Sequence, residues 1–119
     1  MTTASARSRV FVVDDDRSFA DTVALVLQRA GFQVTTFYDA VSAAQYALAF
    51  APHTVVTDFS MPGMNGLELA AWLQQHLPCC KIVIISGEAA TVAEQANDGL
   101  NFSLLQKPVA PQILIAAVE

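Results

Sequence analysis

The chain has 119 residues, 54% of them hydrophobic, which is the length of one domain with ample apolar content for a single core. Its formal charge of -5, with Lys and Arg numbering only 6, excludes a basic surface built to grip nucleic-acid phosphates. No apolar run approaches the ~18 residues needed to span a bilayer, and residues 1–9 lack the apolar centre of a signal peptide, so a cytoplasmic protein without membrane contact is expected.

Residues 1–8 read as a flexible tail. The first strand is expected at Arg9 to Val13, apolar on both faces, and it runs into Asp14-Asp15-Asp16. Phe19, Val23, Val26, Leu27 and Ala30 then recur at helical spacing, so a helix is expected from Ser18 to Ala30 with Gly31 as its left-handed stop. Phe32 to Phe37 reads as a second strand. Asp39 caps a second helix through Phe50, whose apolar face is expected to include Val41, Ala44 and Leu48, and Pro52 closes it.

His53 to Asp58 is the third strand. Met61-Pro62-Gly63-Met64 makes a turn, and Asn65 with Glu68 forms a capping box for a helix over Gly66 to His76. Lys81 to Ser86 is the fourth strand, and the weakly patterned stretch Glu88 to Asp98 is expected to be a helix with few large apolar anchors. Phe102 to Gln106 gives a fifth strand, and Ala110 to Val118 a last helix. Strands that alternate with helices in this way point to an α/β fold on a parallel sheet.

In such a sheet the residues that follow the apolar runs meet at its carboxyl edge, where open α/β folds bind ligands. Here they are Asp14-Asp15-Asp16, Asp58, Ser86 and Lys107-Pro108. A carboxylate accepts a phosphoryl group when a divalent cation offsets the repulsion between the two, which makes Asp58 the candidate nucleophile. Mg²⁺ prefers hard oxygen ligands, and Asp15, Asp58, a backbone carbonyl near Ser60 and solvent suffice for it. The Lys107 ammonium and the Ser86 hydroxyl are donors suited to phosphoryl oxygens.

These residues resemble the receiver domain of two-component response regulators. The resemblance covers Arg9 to Glu119 and rests on VVDDD at 12–16, TDFSMPGMNG at 57–66, IISGE at 84–88 and LLQKPV at 104–109. It implies one doubly wound, five-stranded parallel sheet in the order 2-1-3-4-5, with helices on both faces. Asp14 and Asp15 then correspond to the acidic metal pair, Asp58 to the phosphoacceptor, Ser86 to the hydroxyl switch residue, Lys107 to the phosphate-pairing lysine, and Ser60 to the residue whose carbonyl holds Mg²⁺ or Mn²⁺. The implied partner is a sensor histidine kinase or phosphotransfer protein. The implied response is a shift of the face formed by the fourth helix, fifth strand and fifth helix, a face that also serves for homodimers. Such a domain promotes its own phosphorylation and dephosphorylation and is not a turnover enzyme. The last helix stops at Glu119 without a capping signal, which fits a receiver cut from a longer regulator and leaves a stand-alone receiver open.

Two departures from the family pattern stand out. The position three before the lysine, usually aromatic, is Leu104, which has no polar tip. The segment between Ser86 and Lys107 is about one residue short and lacks the usual Gly-Ala pair, so a short or shifted fourth helix is expected. A receiver fold that serves as a docking or dimerisation module, without a phosphorylation switch, is the alternative these departures support. A haloacid-dehalogenase-like phosphatase expects a second Asp where Ser60 stands, and a flavodoxin-like redox module expects a Ser/Thr/Gly-rich loop where the acids stand. Glu88 and Ser60 flank the expected phosphoryl position and are candidates for tuning access of hydrolytic water.

The remaining chemistry-bearing residues read as structural. Asp16 is a solvated acid near the first helix, and Cys79 and Cys80 are semi-buried free thiols without a second pair. His53 and His76 lack a second ligand at metal spacing, and Trp72 sits at packing positions with Leu69 and Leu73.

Overall fold

Residues 8–119 are described by the computed structural model, so residues 1–7 of the expected tail lie outside the described residues. Five strands alternate with five helices: β1 (Arg9–Val13), α1 (Arg17–Arg29), β2 (Gln33–Phe37), α2 (Ala40–Ala49), β3 (Thr54–Asp58), α3 (Gly66–His76), β4 (Lys81–Ser86), α4 (Ala89–Gln95), β5 (Ser103–Gln106) and α5 (Pro111–Val118). All strand pairs are parallel, and the order is β2-β1-β3-β4-β5. The chain therefore winds outward in both directions from β1, and the β1–β3 boundary is the switch point at which the loops diverge.

Strand parity divides the core into two layers. Phe11, Val13, Val55, Ile82 and Ile84 pack on the side of α2, α3 and α4. Val10, Val12, Val56, Val83 and Ile85 pack on the side of α1 and α5. Because β1, β3 and β4 are covered on both faces, their inner residues are buried on both sides rather than alternating, with Thr54 and Thr57 buried beside Val55 and Val56 in β3.

Local signals set the helix starts. Asp16 caps α1, its carboxylate accepting from the Phe19 N–H at 3.1 Å. Asp39 caps α2 by accepting from Ser42 N–H at 2.7 Å. Asn65 and Glu68 exchange hydrogen bonds at 2.9 Å each way, the expected capping box. Gly31 takes a φ of 101°, the left-handed stop expected after the first helix.

Several expectations are corrected. The first helix starts and stops one residue earlier than Ser18 to Ala30, and the second, third and fifth strands begin one residue later. Val41 and Leu48 do not face the core: they are 51% and 63% exposed. The buried face of α2 is instead Ala40, Ala43, Ala44 and Ala47, whose small side chains let the helix lie close to the sheet. The fourth helix spans only Ala89–Gln95, shorter than Glu88 to Asp98, and Val92 is its one buried residue. Without more apolar anchors the segment cannot offset the entropy of ordering further turns.

The structural readings of the remaining residues agree with the molecule except at Cys79, which is exposed rather than semi-buried because it lies in the turn before β4. Cys79 and Cys80 are free, and burial pushes the half-buried Cys80 thiol up to about 11. Trp72 packs against the core and stacks on His76 at 4.2 Å, while both histidines are exposed. Among the described residues no helix is long and apolar enough to cross a membrane.

Candidate functional site

Asp14 directly follows β1, Asp58 ends β3, Ser86 ends β4 and Lys107 directly follows β5. Parallel-sheet pairing continues past the strand ends and fixes these positions. Asp14 N–H donates to the Phe37 carbonyl at 3.1 Å, Phe59 N–H to Ile85 at 3.0 Å, and Lys107 N–H to Ser86 at 2.8 Å. By parity Asp14, Asp58 and Lys107 lie on the α1/α5 side of the sheet, and Ser86 on the α4 side.

The Lys107 ammonium sits 3.0 Å from Asp58 Oδ1 and 3.9 Å from Asp14 Oδ2. Asp14, Asp15 and Asp58 each offer a carboxylate oxygen within 4.8 Å of the other two. Asp14 is 3% exposed, and its carboxyl is pushed up to about 6. Burial is the main cause and the Asp58 charge adds to it, while the Asp16 N–H and the Lys107 ammonium pull the other way. Asp14 Oδ1 accepts from Asp16 N–H at 2.9 Å, whereas Oδ2 is buried without a hydrogen-bond donor.

That orphaned oxygen tests the fit of a divalent cation. A buried carboxylate oxygen without a donor is costly, and a hard cation satisfies it together with its two carboxylate neighbours. The donor set is all oxygen, which suits Mg²⁺ or Mn²⁺ over zinc or copper. Ser60 sits exposed at the start of the loop after β3, and the role of its carbonyl rests on the resemblance alone. Asp16 is spent on capping α1.

Ser86 is buried, and its Oγ accepts from Glu88 N–H at 2.8 Å. Its hydroxyl proton therefore stays available for another acceptor. Leu104 is half-buried and, with Phe102, packs against the core layer beneath α4, as their shared parity requires. The Lys107–Pro108 peptide is cis.

Three contributors to the site escape reading from the sequence. The Lys107 ammonium lies 4.2 Å from the centroid of the Phe19 ring, a cation–π contact from α1. A Cβ on Gly66 would meet the Asp58 carbonyl oxygen at 2.5 Å, so only glycine lets α3 begin this close to the backbone of Asp58. The glycine at the end of the MPGMNG turn was the available signal. Gln106, the cross-strand partner of Ser86, holds the β4–α4 loop with its amide, and nothing local in the sequence marks it.

The sequence matches the response regulator receiver domain family over residues 10–119. It is 31% identical over 116 residues to the transcriptional regulatory protein FixJ of Bradyrhizobium diazoefficiens, covering 97% of this chain and 57% of that protein. It is also 31% identical over 118 residues to the DNA-binding response regulator MtrA of Mycobacterium tuberculosis, covering 95% of this chain and 50% of that one. The chain thus spans about half the length of these curated relatives. Among solved structures, the Vibrio cholerae chemotaxis protein CheY4 superposes with a TM-score of 0.83 at 27% identity, over 92% of this chain and 94% of that one. A parallel sheet wound in this order, an acidic cluster paired with a lysine at its carboxyl edge, and a family match along nearly the whole length agree: the chain belongs to the response regulator receiver domains.

Proposed function

We propose that this receiver takes a phosphoryl group onto Asp58 from the phosphohistidine of a sensor kinase or phosphotransfer protein, or from a small phosphodonor. The observation that carries the reading is the Lys107–Asp58 pair at 3.0 Å beside the orphaned oxygen of Asp14. A Mg²⁺ or Mn²⁺ ion held by Asp14, Asp15, Asp58 and the Ser60 carbonyl supplies positive charge against the repulsion between carboxylates and phosphate.

The residues divide the remaining work. Asp58 donates a carboxylate electron pair to phosphorus as the bond from phosphorus to the donor's leaving atom breaks, and that bond's electron pair leaves with the donor. Lys107 neutralises charge on Asp58 before transfer and on the phosphoryl oxygens after it. Phe19 screens one side of that ammonium from water. The Ser86 hydroxyl donates a hydrogen bond to a phosphoryl oxygen, and its turn toward that oxygen alters the bond its Oγ now accepts from Glu88 N–H. The product is one aspartyl phosphate per chain, so the chemistry is stoichiometric.

Roughly 1.5 to 2 negative charges then sit where one carboxylate was. The α4–β5–α5 face is placed to respond, since α4 is anchored by Val92 alone and Leu104 is only half-buried. Exposed Ile113 on α5 gives this face an apolar contact for a partner or a second copy. The relatives join such a domain to transcriptional control, and DNA binding in a longer regulator would fall to a separate output domain.

The test is intact mass after incubation with acetyl phosphate and Mg²⁺, beside Asp58→Asn and an EDTA control. A gain of one phosphoryl group that needs the metal and vanishes in the variant is expected. No gain in folded, metal-loaded protein overturns the reading in favour of a docking module without a phosphorylation switch.

A further inference from the structure

The loop from Ser86 to Ala89 is held by two side chains from the same cross-strand pair. Ser86 and Gln106 are registered neighbours on β4 and β5 and share the α4 side of the sheet. Ser86 Oγ accepts from Glu88 N–H at 2.8 Å. Gln106 Oε1 accepts from Ala89 N–H at 3.0 Å, while its Nε2 donates to the carbonyls of Gly87 at 2.8 Å and Lys107 at 3.2 Å. The amide has one orientation that works, because a backbone N–H only donates and a backbone carbonyl only accepts.

This arrangement compensates for two local defects. Glu88, at the N-cap of α4, makes no side-chain cap, so the first turn of that helix takes its acceptor from β5 instead. Leu104, registered opposite Ile84 one step further into the sheet, has no polar group with which to follow the Ser86 hydroxyl. Gln106 has one, and it is bonded both to the loop that carries Ser86 and to the peptide that carries Lys107.

Building on the Asp58 reading above, we infer that Gln106 is a positioning residue for the phosphoryl chemistry. Its amide keeps the Ser86 hydroxyl and the Lys107 ammonium in one registration and passes a displacement of Ser86 to the first turn of α4. It touches neither the cation nor the phosphoryl group. A second glutamine offers an internal control: Gln74 on α3 bonds Gly99 O and Asn101 N, each at 2.8 Å, and so holds the far end of the same segment away from the site.

The experiment measures the rate of acetyl-phosphate labelling with saturating Mg²⁺ for the parent, Gln106→Met, Gln106→Ala and Gln74→Met, with β3 amide exchange confirming that each is folded. Amide resonances of Glu88 and Ala89 are followed as beryllofluoride is added. Both Gln106 variants are expected to label about fivefold more slowly, in keeping with the loss of exposed hydrogen bonds. Their Ala89 resonance is expected to lose its response to beryllofluoride, whereas Gln74→Met keeps the parental rate and response. Parental labelling by the Gln106 variants overturns the inference. Equal slowing in Gln74→Met also overturns it, because the effect is then general loosening of the segment. A parent that does not label overturns the Asp58 reading itself, and the inference falls with it.

Discussion

Asp14 shows how a site residue is held in a costly state. Its carboxyl is raised from 3.8 to about 6, first by burial and then by the charge of Asp58. The folded state binds its proton more tightly than the unfolded chain does, so metal-free protein loses stability as pH rises from about 4 to about 6. Two pKa units correspond to about 3 kcal/mol as an order of magnitude. Asp14→Asn keeps an oxygen for Asp16 N–H and removes the ionisable group. It is expected to stabilise the metal-free protein at pH 7.5 by about 2 kcal/mol in urea unfolding with EDTA, and to remove the pH dependence. A loss of stability instead would show that the charge is favourable where it stands. Glu88 and Ser60 are exposed on the loops that follow β4 and β3, and the proposed chemistry would make them candidates for tuning the approach of water to an aspartyl phosphate. Glu88→Ala and Ser60→Ala are expected to change the phosphoryl lifetime several-fold, followed as decay of the phosphorylated mass after donor removal. Parental decay in both would remove them from that role.

The elements differ in how firmly they are held, and the differences follow the site. The start of α3 is fixed twice, by the Asn65–Glu68 capping box and by the approach of Gly66 to the Asp58 carbonyl. Gly66→Ala has no room for its methyl, since the obstructing atoms are backbone. It is expected to cost about 2 kcal/mol or more through a shift of the chain, and to slow labelling of Asp58 because that carbonyl moves with its carboxylate. Unchanged stability together with unchanged labelling would show that the helix start yields freely. The opposite case is α4, seven residues with one buried side chain and a borrowed cap. A low-stability element next to a charge that appears and disappears is what a signalling surface needs. The alanines of α2 serve another end, since they bring that helix close to the sheet and leave Val41 and Leu48 outside.

In the molecule as a whole the crowding of Asp14, Asp15 and Asp58 opposes folding, so a cation that bound the cluster would be linked to stability. At a free Mg²⁺ concentration 100-fold above its dissociation constant, linkage adds about 2.7 kcal/mol. Mg²⁺ is therefore expected to raise the melting temperature of the parent and to have little effect on Asp58→Asn, read by calorimetry at constant ionic strength. An equal rise in both would mean that the ion binds without the Asp58 carboxylate. The α/β class, the strand positions, the caps at Asp39 and Asn65 and the order of the acids, serine and lysine are legible in the chain, because periodicity, capping and motif spacing are local properties. The inward face of α2 and the length of α4 are not, because each depends on how close a helix lies to its sheet and on how much apolar surface it finds there. The contact of Phe19 with Lys107 and the Gln106 bonds to the Ser86 loop join residues far apart in sequence. They exist only once parallel register sets β5 beside β4 and α1 across the same edge, since register is a property of paired strands and no single strand encodes it.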